Sequence, residues 1–138
     1  MSSKKISLED DISIRNLMGK YQWLVDGGDE EGWASLFTED GGFIGGLPEP
    51  HRGHKELKKI PALVRDMYQD KMRHLTGSFW TEYGASKDEA YARYYALVTT
   101  WLKDEGPQFF QMSLCTVHLV RINGEWKIKA NNVKNLKE

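Results

Sequence analysis

Apolar residues recur with helical spacing over the first part of the chain. Residues 1–7 read as a short flexible tail, and the apolar positions that follow are Ile12, Ile14, Leu17, Met18, Tyr21, Leu24 and Val25. Intervals of three and four residues predict an amphipathic helix. Ser7 is placed to cap the start of this helix, and Gly27-Gly28 is placed to end it after Asp26.

Shorter elements are predicted between this helix and the middle of the chain. Asp29 caps a second short helix, and residues 38–42 have the composition of a turn. Gly42–Gly46 forms a short glycine-rich strand, and Leu47–His54 forms a loop. A third helix runs from about Lys55 to Gln69, and Pro61 either splits it or lies in the first turn of its second half.

The remaining sequence is typical of β-structure. Asn123-Gly124 is a strong hairpin signal. Strand-favouring residues form four long runs, at about Met72–Tyr83, Glu89–Lys103, Gln108–Ile122 and Trp126–Asn135. Runs longer than a common strand predict a strongly bent sheet. Helices followed by an antiparallel meander indicate an α+β fold, with a single domain over residues 8–138.

Composition narrows the class of protein. The chain has 138 residues, 19 Lys plus Arg and 20 Asp plus Glu, so it lacks the basic excess of a nucleic-acid-binding protein. No apolar run approaches the length of a membrane span, and no secretory signal is recognisable, so we expect a cytoplasmic protein without a membrane partner. The lone cysteine, Cys115, excludes an internal disulfide and is expected to be a buried thiol.

Asp26 and His74 are the leading candidates for chemistry. A carboxylate at a helix C-terminus is disfavoured by about 0.3–1 kcal/mol unless it has a partner. An imidazole is a suitable partner, because a carboxylate bonded to one ring nitrogen fixes the tautomer and raises the basicity of the other nitrogen. The alternatives are that Asp26 only starts the Gly27-Gly28 turn and that His74 is a satisfied core histidine.

Tyr21 and His118 are further candidates with open alternatives. Tyr21 lies on the apolar stripe of the first helix, so packing and a catalytic hydroxyl are both compatible with its position. His118 lies in an alternating run, on the face that also carries Met112 and Leu114, and either lines a cavity or packs. His51 and His54 flank a loop that is either solvated or a lid. No spacing of Cys and His predicts a metal site.

One motif resembles a known family. The pattern Y-x-x-x-x-D-x-x-D-x-x-x-W-x-x-L-F-x-x-D-G, followed by R-H-L-T and an N-G-x-W-K-I hairpin, is similar to the SnoaL-like family of the nuclear transport factor 2-like superfamily. The resemblance implies a cone-shaped barrel in which N-terminal helices pack in the concave face of a bent, mostly antiparallel sheet. It extends from about Ser7 to Asn135.

The resemblance also implies chemistry. Cofactor-free lyases of this kind, such as scytalone dehydratase, bile-acid 7α-dehydratase and lindane dehydrochlorinase, match here at Asp26, His74 and Tyr21. His74 would be the general base, Asp26 would orient it and Tyr21 would donate to a substrate oxygen. The chain differs from related enzymes at two matching positions. Tyr95 stands near the position of a second histidine of scytalone dehydratase, and Gly45 stands near the position of the aspartate base of ketosteroid isomerase.

These observations lead to a set of functional expectations. We expect a lyase or isomerase that needs no cofactor and acts on a small hydrophobic cyclic or aromatic molecule. Its pocket would include Phe43, Trp80, Tyr95 and His118, some of which could instead seal a contact between copies in a homodimer or homotrimer. The alternatives are a non-catalytic module that binds a hydrophobic ligand or dimerises, and a scaffold like the small subunit of an oxygenase.

Overall fold

The computed structural model describes residues 4–102 and 104–136. Its helices are α1 (Leu8–Asp26), α2 (Glu30–Ala34), α3 (His54–Leu57) and α4 (Lys59–Met67). Its strands are β1 (Phe37–Gly45), β2 (His51–Arg52), β3 (Met72–Tyr83), β4 (Glu89–Thr100), β5 (Gln108–Ile122) and β6 (Glu125–Asn135). The predicted α+β class is confirmed.

Local sequence signals position the helices. The Ser7 side chain accepts a hydrogen bond from the backbone N–H of Asp10, and the Asp29 side chain accepts one from Gly32, so both predicted caps are confirmed. Pro61 lies in the first turn of α4, where its missing N–H costs no helical hydrogen bond. The predicted third helix is therefore two short helices, α3 and α4.

The six strands form one mixed, open sheet in the order β2-β1-β6-β5-β4-β3. Strands β3 to β6 form the predicted antiparallel meander, and β1 joins it by parallel pairing with β6. Helix α1 contacts both β3 and β6, so it lies across the concave face of the sheet. Ile14, Met18 and Trp33 are fully buried in the core between the helices and this face.

Some boundaries differ from the sequence-based prediction. Residues 38–42, expected to be a turn, belong to β1, because the strand continues through a large bulge between Phe37 and Gly42. A two-residue strand, β2, lies inside the predicted 47–54 loop and pairs with β1. The run predicted to reach Lys103 ends as strand β4 at Thr100, and Lys103 lies outside the described residues.

The start of the chain is tied to β3. The backbone N–H of Tyr83 donates to the Lys4 carbonyl, and the Tyr83 hydroxyl oxygen accepts from the backbone N–H of Ser7. Residues 4–7 of the predicted tail are therefore held in place, and residues 1–3 lie outside the described residues.

Candidate functional site

The Asp26 carboxylate holds His74 at two points. Its Oδ1 lies 2.7 Å from His74 Nδ1, and its Oδ2 accepts the backbone N–H of His74 at 3.0 Å. A carboxylate can only accept, so Nδ1 carries the proton of this hydrogen bond and Nε2 is left with a free lone pair. Asp26 is buried, with 8% of its surface exposed, and the His74 side chain is 22% exposed, so the carboxylate is the member of the pair that is shielded from water.

Burial of Asp26 follows from the way α1 meets the sheet. The helix ends at Gly27-Gly28, beside the first residues of β3, and its last side chain faces the backbone of that strand. Gly28 adopts a left-handed φ of 74°, which reverses the chain immediately after the carboxylate. The helix end and the strand start thus bring together two residues that are distant in sequence.

His74 borders a cavity of about 300 Å³ between the helices and the concave face of the sheet. Its floor is the inner face of β3, β4, β5 and β6, its roof is α4, and α1 closes one side. Apolar side chains predominate in the lining, which includes Phe43, Leu47, Ile60, Val64, Ala96, Val98 and Val133. The volume lies at the lower end of the range for small-molecule sites in proteins.

Among the described residues, no aspartate, glutamate, lysine or arginine side chain lines this cavity, and Asp26 stands behind His74. Burying an ionic ligand without a compensating charge is costly. The cavity therefore suits a neutral ligand.

Tyr21 occupies the deep end of the cavity. Its ring packs against Trp33 and Phe37, with centroid distances of 5.3 and 6.0 Å, and its hydroxyl oxygen accepts from Asn131 Nδ2 at 3.0 Å. The second hydrogen of the same amide goes to the Tyr94 hydroxyl at 3.3 Å. Because Asn131 supplies the donors, the Tyr21 hydroxyl hydrogen is free to be donated to a ligand.

Burial keeps these groups in their neutral forms. It raises the pKa of Tyr21 well above the usual value for a phenol, because the phenolate would be stripped of water. Burial likewise raises the pKa of the Cys115 thiol to about 11. Tyr21 is therefore a hydrogen-bond donor across the whole neutral range, and Cys115 is a buried thiol, as predicted, rather than a thiolate nucleophile.

Two amide oxygens in the cavity wall have no hydrogen-bond partner among the described residues. They are Gln22 Oε1, one turn before Asp26 on α1, and Asn131 Oδ1 on β6. An unsatisfied buried acceptor costs about 1–3 kcal/mol. Both oxygens are buried from a water-sized probe, so in this conformation neither is presented to a ligand in the cavity.

The structure brings four of the predicted site residues together. Tyr21, Phe43 and His74 line the cavity, and Asp26 lies directly behind His74. The loop histidines do not line it, since His51 contacts the Glu49 carbonyl and His54 the Phe37 carbonyl.

Tyr95 and Trp80, which the sequence placed in the pocket, lie outside its lining. Tyr95 is 51% exposed and Trp80 60% exposed, both on the outer face of the sheet. Tyr94, next to Tyr95, is the residue that points inward. A bulge at Ser78, with a φ of 56°, reverses the side-chain alternation along β3, so that His74 faces inward and Trp80 outward.

His118 also lies outside the cavity lining. Its Nε2 is 2.8 Å from Glu89 Oε2, and its ring stacks on Tyr91 at a centroid distance of 4.7 Å. The inner face of β5 carries Cys115, Val117 and Leu119 instead. Apolar residues occupy both faces of this strand, so alternation alone does not identify the inner one.

Sequence reasoning missed Asn131 and Tyr94. One available signal was the run of small residues in β4, Ala90, Ala92 and Ala96, which are buried where helices approach the sheet and share their face with Tyr94. Asn131 gives no comparable signal, because a bulge at Lys129 shifts its strand by one residue after Ile128.

Two kinds of feature are absent from the part of the chain that the structure describes. No group of three or more His, Cys, Asp or Glu side chains is arranged to hold a metal ion. None of the helices combines the length and the apolar character that a membrane crossing requires.

Comparison with solved structures shows the same fold. A protein of unknown function from Mycobacterium tuberculosis is 26% identical, with a TM-score of 0.82 over 94% of this chain and 73% of that one. ActVI-ORFA from Streptomyces coelicolor is 25% identical, with a TM-score of 0.75 over 90% and 95%. A protein of Novosphingobium aromaticivorans, provisionally named a scytalone dehydratase, is 20% identical, with a TM-score of 0.80 over 94% and 86%.

The sequence comparisons identify the family. None of the curated proteins matches significantly. Residues 7–132 match the SnoaL-like domain, and the family includes cyclases and dehydratases. This match covers most of the chain, so the protein belongs to the SnoaL-like family.

Proposed function

We propose that this protein is a cofactor-independent lyase that eliminates water from a small, neutral, cyclic or aromatic ketone. One observation carries the proposal: His74 Nδ1 is bound to a buried Asp26 while its ring borders an apolar cavity. A histidine oriented by a carboxylate is an effective general base, and such a base contributes roughly 10²–10⁴-fold to proton abstraction.

The first part of the reaction is proton removal. His74 Nε2 takes a proton from the carbon next to the substrate carbonyl, and the imidazolium that forms is stabilised by the Asp26 carboxylate. The Tyr21 hydroxyl donates to the carbonyl oxygen as negative charge develops there. Its high pKa keeps it a donor rather than a competing base.

The second part is departure of the leaving group. The electron pair from the broken C–H bond forms a C=C bond, and the hydroxyl on the next carbon leaves. His74 returns the proton to the departing oxygen, so the products are the unsaturated ketone and one water molecule. Three variants of this reaction begin with the same proton removal: loss of a halide, C–C cleavage and double-bond migration.

The main alternative is a module that only binds a hydrophobic ligand. A filled interior with Asp26 turned to solvent would favour that alternative. The 300 Å³ cavity and the buried Asp26 favour catalysis instead. The second alternative is a scaffold like the small subunit of an oxygenase, which would need neither the cavity nor the Asp26–His74 pair.

The test uses cyclic β-hydroxy ketones. 3-Hydroxy-1-tetralone is a suitable member of the panel, because loss of water gives fluorescent 1-naphthol. A second readout is exchange of the protons beside the ketone for deuterium, which reports proton abstraction even without a leaving group. We expect both activities in the native protein and their loss in His74→Gln.

The chain contains a matched control. His118 forms the same kind of pair with Glu89, at 2.8 Å, but on the outer face of the sheet. His118→Gln therefore removes a histidine–carboxylate pair without touching the cavity and should retain full activity. Equal activity in His74→Gln and native protein, or no exchange and no elimination with any compound of the panel, would refute the proposal.

A further inference from the structure

Residues on β3 and β5 face each other across the cavity floor. Val98 of β4 pairs with His74 on one side and with Gln111 on the other, so the three residues form one row across the sheet. Side chains in such a row point to the same face, and strands two apart are separated by about 10 Å. Gln111 therefore stands opposite the proposed base.

Gln111 belongs to a small polar cluster. Asn135 Oδ1 accepts from Gln111 Nε2 at 3.2 Å and from Ser113 Oγ at 2.7 Å. Ser113 is 4% exposed, and all three side chains line the cavity. These two hydrogen bonds leave the Gln111 carbonyl oxygen as an acceptor and the Asn135 amide nitrogen as a donor.

The floor between His74 and this cluster is apolar. Val98 and Ala96 are 2% and 3% exposed and present only small aliphatic groups to the cavity. A flat ring lying on them would have His74 at one edge and Gln111 at the other. With no lysine or arginine in the described lining, a group that binds at the second edge is expected to be neutral.

We propose that Gln111 and Asn135, held together by Ser113, form a second polar subsite that binds a neutral hydroxyl or ketone oxygen of the ligand. This oxygen lies on the side of the ring away from the carbon that His74 deprotonates. Identifying the ligand as a substrate rests on the proposed function, but binding at the subsite does not require turnover.

The experiment compares 1-indanone with 5-hydroxy-1-indanone, which share the ketone and differ in one hydroxyl. Dissociation constants are measured through the intrinsic fluorescence of the protein. One additional hydrogen bond to the Gln111 carbonyl oxygen predicts that the hydroxylated compound binds roughly 3- to 10-fold more tightly. Gln111→Met, which removes this acceptor at similar volume, should bring the ratio of the two constants close to one.

Two further variants make the result specific. Gln108→Met makes the same replacement as the test variant at an exposed position of β5 and should leave the ratio unchanged. His74→Gln should lose deuterium exchange but keep the ratio, so failure of the proposed function and failure of the subsite give different results.

Two outcomes would overturn the subsite. One is a native protein that binds both indanones equally or binds neither. The other is a preference that survives in Gln111→Met, because the hydroxyl would then be recognised elsewhere.

Discussion

Asp26 binds both the side chain and the backbone of His74, through its two carboxylate oxygens. The strand position and the ring orientation of the histidine are therefore set by one side chain from α1. A carboxylate that served only to end the helix would need neither contact. This double attachment is the reason to treat the pair as a functional unit.

Asp26→Asn should separate orientation from charge. An asparagine amide facing Nδ1 would donate to it, which places the imidazole proton on Nε2 and removes the lone pair that the proposed reaction needs. We expect elimination and deuterium exchange to fall roughly 10²–10⁴-fold, with the cavity intact. Steady-state kinetics measure the loss of activity, and ligand binding reports whether the cavity is intact.

Asp66→Asn is the control for this change, because Asp66 is an exposed partner of Arg65 on α4. It should behave like native protein in both assays. An Asp26→Asn protein that binds ligand normally and retains native turnover would argue against a role for the carboxylate.

Tyr21→Phe tests the proposed donor. The ring keeps its contacts with Trp33 and Phe37, and only the hydroxyl is lost. Removing one donor to a developing oxyanion predicts a fall in kcat of roughly 10²-fold. Loss of the Tyr21 oxygen leaves one N–H of the buried Asn131 amide without its acceptor and should lower the free energy of unfolding by about 1–3 kcal/mol.

Tyr91→Phe provides the comparison, since Tyr91 stacks on His118 outside the cavity. Its kcat should match that of the native protein. A Tyr21→Phe variant with a raised KM and an unchanged kcat would mean that the hydroxyl contributes to ground-state binding rather than to the transition state.

The sequence predicted the elements whose signals are local. Caps at Ser7 and Asp29 and the hairpin at Asn123-Gly124 depend on residues within a few positions of one another. The bounds of β3 and β5 also agree with the prediction. Strand β1 was too short in the prediction because its turn-like residues are held by parallel pairing with the distant β6, which local composition does not report.

The sequence predicted some residues of the candidate site correctly and misplaced others. Asp26, His74 and Tyr21 were identified from residue types and the family resemblance, and the structure places all three at the cavity or directly behind it. Trp80 was misplaced because the bulge at Ser78 reverses the alternation along β3. Counting positions from a strand start identifies a face only while the pleat is uninterrupted.

The outer face of the sheet supports a prediction about assembly. Four large apolar side chains on β3, β4 and β5 are more than half exposed: Leu75, Trp80, Tyr95 and Phe109. Large apolar side chains exposed on one face of a sheet favour association, so we expect a homodimer or homotrimer. Light scattering should detect it, and Tyr95→Glu should shift the protein towards monomer.

Trp23→Glu is the matched control, because Trp23 is 83% exposed on α1, away from the outer face of the sheet. It should leave the molar mass in solution unchanged. A native protein that is monomeric at all accessible concentrations would contradict the prediction.

Asp10 should control stability in acid. Its carboxylate accepts from Arg121, Tyr83 and Trp126. The hydrogen bonds from Arg121 contribute most to holding the pKa of Asp10 at about 2, compared with an ordinary value of 3.8. Because the folded pKa is lower than the unfolded one, this stabilisation is complete above about pH 4 and is lost as the pH falls towards 2.

The expected contribution is about 2 kcal/mol at neutral pH. Asp10→Asn should lose about this amount, since Arg121 then keeps only its exposed carboxylate partner, Asp88. The unfolding free energy of the variant should also change less between pH 4 and pH 2 than that of the native protein. Urea unfolding at several pH values measures both. If the native and variant proteins lost stability in parallel over that range, the acid sensitivity would have to arise from other carboxylates.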